Sequence, residues 1–101
     1  MKPTPFMIRV LNEIHLASEE NRFTSPAWIA HDVFPRDHPG WQRSCKCGRN
    51  GTTQGSGLVM MIGGYLGKLA KAGLVTRFRD CNRLTCDGFA MLKDHADLLE
   101  A

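Results

Sequence analysis

Cys45-Lys46-Cys47 sets two thiols one residue apart, and His31 and His38 lie near enough upstream to complete a metal site if the chain between them folds back. Thiolate sulfur and imidazole nitrogen are the ligands zinc prefers. Paired cysteines in structural zinc sites, however, usually stand about two to four residues apart, whereas only one residue intervenes here. The other pair, Cys81 and Cys86, has four residues between its members and belongs to a different part of the chain. Reduced thiols are therefore the expectation, with Cys45, Cys47 and His38 as the metal candidates and no cofactor implied. A Cys/His nucleophilic pair can be assembled on paper, but with four cysteines and four histidines some such pairing arises by chance. There is no P-loop, no dinucleotide fingerprint and no HExxH helix, and the GSG before Leu58 is too short to signal a cofactor. No enzymatic activity is expected. His15 and His95 are expected at helix surfaces.

The lysines and arginines carry a clearer message. The net charge is only +3, yet between Arg36 and Arg83 nine Lys/Arg face two Asp, a net of +7, while the remaining residues carry four basic and eight acidic groups, a net of −4. A basic middle between acidic ends is what a surface meeting nucleic-acid phosphates would show, although a solvated loop can carry the same excess. With 101 residues the chain is expected to be a single domain, 1–101, with one modest core. No apolar run approaches the roughly 18 residues that a membrane span needs. The N-terminal MKPTPFMIRV lacks the apolar region and cleavage site of a secretory signal, so a cytoplasmic location is expected.

Elements that could position these residues follow from periodicity. Phe6, Val10, Ile14 and Ala17, with Met7 and Leu11, repeat at helical spacing after Thr4-Pro5 and predict helix 1. Phe23 could supply a minimal strand. Thr24-Ser25-Pro26 opens helix 2, whose buried face is expected to be Trp28, Ile29, Val33 and Phe34, and Pro35 ends it. Helix 3 is expected to begin near Thr53 or Ser56, to bury Leu58, Ile62, Leu66 and Leu69 with Tyr65 beside them, and to end before Gly73. Residues 74–78 and 83–85 read as the arms of a hairpin around Asp80-Cys81-Asn82. Thr85 caps a fourth helix that runs towards Glu100, with Phe89, Leu92, Ala96 and Leu99 as its core face and Met91, His95 and Leu98 as a second stripe.

The ordered run from Tyr65 to Leu92, AGLVTRF followed by a short turn and RLTCDGFAML, resembles the recognition-helix end, wing and final helix of winged helix-turn-helix proteins, most closely the MarR and PadR groups of bacterial regulators. Leu66, Leu69, Gly73, Leu74, Val75, Arg77, Leu84, Thr85, Gly88 and Leu92 carry the match, which covers about a third of the chain. The resemblance implies a mainly α fold with a small β-hairpin (α+β): helices 1–3, a two-stranded wing and helix 4. Its functional implication is sequence-specific binding of double-stranded DNA in a bacterial or phage-type transcriptional regulator. The recognition helix would lie in the major groove, with the wing on the backbone or in the minor groove. The family's terminal helices often dimerise, so a homodimer through the C-terminal helix is implied, and no membrane partner is. In such a fold the loop before helix 3 and the hairpin after it approach opposite ends of that helix, which makes a four-cysteine cluster awkward.

Residues 35–57 depart from the family pattern. A helix-turn-helix joins its helices through about three or four residues, whereas PRDHPGWQRSCKCGRNGTTQGSG is a long, basic, Gly-rich insertion. It reads either as an arm adding phosphate contacts or as a cover over the helix 2–helix 3 junction with Trp41 tucked inward. The expected DNA-contacting residues are Arg43, Lys46, Arg49, Thr52, Thr53, Gln54, Ser56, Lys68, Arg77, Arg79 and Arg83. The outer face of helix 3, with Met60, Gly63, Gly64 and Gly67, is unusual for base readout by hydrogen bonds. Two other uses of the chain stay open: a protein-docking module without DNA binding, and a domain stabilised by a zinc site in the loop.

Overall fold

The computed structural model describes residues 2–42, 44–46, 52–54, 56–78 and 81–100, with the backbone alone at 42, 44–46, 52–54, 56 and 100. Four helices, α1 (Pro5–Glu19), α2 (Pro26–Val33), α3 (Ser56–Lys71) and α4 (Cys86–Asp94), alternate with two antiparallel hairpins, β1–β2 (Ser44–Lys46, Thr52–Gln54) and β3–β4 (Val75–Phe78, Cys81–Leu84). The chain is an α+β domain.

The helix ends are set by local chemistry. At the start of α1 the Met7 N–H donates to Thr4 Oγ1 at 3.1 Å, and Pro5, which has no N–H to satisfy, takes the first helical position. The helix closes at Asn21, held at φ 55°: the Arg22 N–H donates back to Ala17 O at 2.8 Å, the six-to-one bond of a Schellman turn. Gly73, at φ +80°, does the same for α3. The Leu74 N–H reaches Leu69 O and the Gly73 N–H reaches Ala70 O, each at 3.0 Å, and Leu69 and Leu74 are both buried. Thr85 Oγ1 accepts the Gly88 N–H at 3.0 Å and so caps α4, with Asp87 in the first turn complementing the dipole.

One core joins these elements. Met7, Ile8, Leu11 and Ile14 of α1 meet Ile29 and Val33 of α2, Ile62, Leu66 and Leu69 of α3, then Leu74, Val75 and Leu92. Each buried Leu or Ile contributes about 1.5–3 kcal/mol relative to exposure, so the 3.6-residue repeat of α1 and α3 largely determines the fold. Arg22 adds a polar brace between α1 and α2. Its guanidinium lies 2.8 Å from Asp32 Oδ2 and 2.7 Å from Glu20 Oε2. Burial lowers its affinity for the proton, and the two carboxylates outweigh that, raising its pKa.

Several expected details differ. Trp28 is 50% exposed, because α2 buries Ile29, Ala30 and Val33 and turns Trp28 outward onto Phe23, with ring centroids 5.6 Å apart. Phe23 belongs to no strand. Instead Thr24 holds β4: the Asn82 N–H donates to Thr24 Oγ1 at 2.9 Å and Asn82 Nδ2 donates to Thr24 O at 2.6 Å. Helix α4 stops at Asp94 and continues as a 3-10 turn, Ala96–Glu100. Its start is pressed against Leu74 so closely that a Cβ on Gly88 would stand 1.9 Å from Leu74 O. Gly88 and Leu92 therefore face the core, Met91 and Leu98 pack partly against it, and Phe89, Ala96 and Leu99 are exposed. Of the expected core face only Leu92 is buried, and Met91 and Leu98 of the second stripe take the places expected for Phe89, Ala96 and Leu99.

The 35–57 insertion also contains more structure than a plain loop. Pro39–Gln42 form a 3-10 turn, and Thr52–Gln54 form the strand β2 rather than the first turn of α3, which begins at Ser56. β2 pairs with β1 in the register Ser44–Gln54, Cys45–Thr53 and Lys46–Thr52. No helix among the described residues is long and apolar enough to cross a membrane.

Candidate nucleic-acid interface

Helix α3 buries Leu58, Ile62, Leu66 and Leu69, so Met60, Gly64, Gly67 and Lys71, spaced four, three and four apart, form the stripe opposite the core. Met60 is 57% and its neighbour Met61 56% exposed, and nothing lies within 4 Å of where a Cβ on Gly64 would stand. Lys68 and Lys71 occupy the last turn, where cations also complement the negative end of the helix dipole. The N-terminus of α2 flanks this stripe. A Cβ on Gly63 would be 3.9 Å from Pro26 Cβ, an ordinary contact distance.

Arg77 joins the same surface from β3. In the β3–β4 register Val75 faces Leu84, Thr76 faces Arg83, Arg77 faces Asn82 and Phe78 faces Cys81. Successive strand residues alternate faces. Val75, Arg77, Asn82 and Leu84 therefore share the inner face, and Thr76, Phe78, Cys81 and Arg83 the outer one. Arg77 extends along α3: its Nη1 lies 3.5 Å from Gly63 O and would be 3.7 Å from a Cβ on Gly67. Arg83, on the other face, borders an open groove of about 430 Å³ beside the end of α1, with His15, Leu84, Cys86 and Phe89. Of the three arginines expected on or next to the wing, Arg77 and Arg83 thus stand on opposite faces of the hairpin.

The remaining expected contacts divide by position. Lys46, Thr52, Thr53 and Gln54 lie on the β1–β2 hairpin, and Ser56 is the first residue of α3. Arg43, Arg49 and Arg79 lie outside the described residues, as does Cys47.

The histidines expected upstream of the cysteines have structural partners. His38 Nδ1 accepts the Gly40 N–H at 2.9 Å, and its ring packs near Phe34. Gly40 sits tightly between two side chains, since a Cβ would meet Leu58 Cδ2 at 2.7 Å and His38 Nδ1 at 2.9 Å and would push both aside. His31 stacks on Trp41 with centroids 4.4 Å apart and planes within 8°. Trp41 Nε1–H donates to Pro35 O at 2.8 Å, and Trp41 packs against the core. The head of the insertion, residues 35–42, is thus part of the domain and covers the junction of α2 and α3. Among the described residues no three His, Cys, Asp or Glu side chains converge as a metal site.

Sequence reasoning missed Asn82. It sits in what reads as a turn, yet it is 1% exposed and holds Thr24. The available signal was the alternation of Asn82 with Arg83 and Leu84 once a strand begins at Cys81. Compared with protein-family models, curated proteins and solved structures, the chain matches none.

Proposed function

We propose that this chain is a winged helix-turn-helix domain that binds duplex DNA, with α3 entering the major groove, the β3–β4 hairpin as the wing, and transcriptional regulation of bacterial or phage type as its role. The observation that carries it is Arg77 lying along α3. Together with Lys68 and Lys71 it frames one exposed helix stripe with cations. Cations around a convex helix are suited to the phosphates on either side of a groove. The exposed Phe89 and Leu99 at the C-terminal end support association into a homodimer.

Titration of a labelled duplex at several salt concentrations tests the proposal. Affinity should fall steeply as salt rises, with a slope near one unit per phosphate neutralised. Protein docking is the second reading, and the exposed Met60, Met61 and the Phe23–Trp28 stack favour it. An apolar docking surface would bind its partner with little dependence on salt.

A further inference from the structure

We infer that α3 recognises thymine in duplex DNA through the 5-methyl group rather than through hydrogen bonds to base edges; this rests on the DNA-binding proposal above. From Gly57 to Gly67 the only side chain with a hydrogen-bond donor is Tyr65, the thioethers of Met60 and Met61 being weak acceptors. Tyr65 is half-buried on the core side, with its ring edge-on to Phe6 at 5.0 Å, and so does not belong to the outer stripe. The solvent side offers the thioether side chains of Met60 and Met61 and the bare backbone at Gly57 and Gly64, where nothing stands within 4 Å of a would-be Cβ.

In the major groove, bases are distinguished by donors and acceptors that need a polar side chain, with one exception. The thymine methyl is read by apolar contact. Met60 lies in the middle of the outward stripe, and Gly64, one turn on, lets the helix axis approach the groove floor. A thioether is unbranched and polarizable, so it can follow a methyl surface closely. Arg77 beside Gly63 and Gly67, and Lys68 and Lys71 in the last turn, border this apolar centre with positive charge on its C-terminal side, which makes a polyanion with an apolar groove feature a better complement than an uncharged protein surface.

The test uses the full chain and four alternating duplexes of equal length: d(A-T), d(A-U), d(G-C) and d(G-5-methyl-C). Replacing thymine by uracil keeps every hydrogen bond and removes only the methyl. Affinity for d(A-T) should exceed that for d(A-U) by about fourfold for each methyl contacted, the equivalent of about 0.8 kcal/mol per buried carbon. The methylated d(G-C) duplex should exceed the plain one in the same sense. In a Met60→Ala/Met61→Ala variant that melts like the parent, both differences should shrink while the salt slope stays. Equal affinity for all four duplexes with a steep salt slope would overturn thymine recognition and leave DNA binding standing. No salt-dependent binding to any duplex would overturn both.

Discussion

Asn82 and Thr24 hold each other across 58 positions of sequence, the Asn82 backbone N–H on the Thr24 hydroxyl and the Asn82 amide on the Thr24 carbonyl. The pair does what a third strand would do: it satisfies backbone groups of the segment before α2 and fastens β4 there. Thr24→Val keeps the shape and removes the acceptor, stranding a buried N–H, and should cost about 1–3 kcal/mol. Asn82→Ala should cost a similar amount. Denaturant melts of both variants and of the double variant would measure it, with the double variant expected to cost less than the two single costs together.

Two glycine substitutions should act in opposite directions. Gly88→Ala drives a methyl into Leu74 O, a backbone atom that cannot swing aside, and should destabilise by about 1–3 kcal/mol or more. Gly64→Ala, in an open position inside α3, should stabilise by up to about 1 kcal/mol. For a domain of this size that corresponds to a rise of roughly 4–8 °C in melting temperature.

Arg77→Ala should weaken DNA binding at all sequences and flatten the salt slope by about one unit. Arg83→Ala should have a smaller effect, because Arg83 stands on the opposite hairpin face beside the end of α1. Parallel titrations of the two variants at matched salt would decide this, and equal losses would contradict the assignment of Arg77 to the α3 surface.

Glu13 gives the stability a pH dependence. Burial, and after it the nearby Asp32 charge, raises its pKa above the ordinary 4.5, with Arg22 and Arg9 acting the other way. The folded state therefore holds this proton more tightly than the unfolded one. Ionised Glu13 is destabilising at neutral pH, and the penalty is relieved as pH falls through the folded pKa towards 4.5. Glu13→Gln should be the more stable protein at pH 7, with the difference vanishing below about pH 4. Thermal melts from pH 3 to 8 would show the two curves converge.

How much of this was legible in the sequence depends on what each element rests upon. Helices α1 and α3 were readable because their buried residues repeat with the helical period and their ends carry Thr4-Pro5 and Gly73, residues with local capping chemistry. Trp28 and Phe89 were misplaced because large apolar residues look like core. Which face of a short helix is buried is decided instead by its neighbours, here Phe23 beside Trp28 and Leu74 against Gly88. Thr53 and Ser56 both looked like starts of helix 3 because Thr and Ser favour caps; the start is Ser56, and Thr52–Gln54 form a strand. Their pairing with Ser44–Lys46 is a non-local contact that no single segment announces. At the candidate site, the positions of Lys68 and Lys71 followed from helical phase, whereas the separation of Arg77 from Arg83 needed the strand register.

The knot where the β3–β4 hairpin leaves and rejoins the domain has a consequence for engineering and for divergence. Leu74 O accepts the Thr85 N–H at 3.1 Å, and the Thr85 hydroxyl donates to Gly73 O at 2.6 Å, so both hairpin ends are latched at one point. With the ends already closed, lengthening the tip adds only about 0.6 kcal/mol of loop entropy per doubling. Peptides grafted between Phe78 and Cys81 should therefore be carried without loss of the helical body. The hairpin tip is a part of this scaffold that can change its length and sequence cheaply.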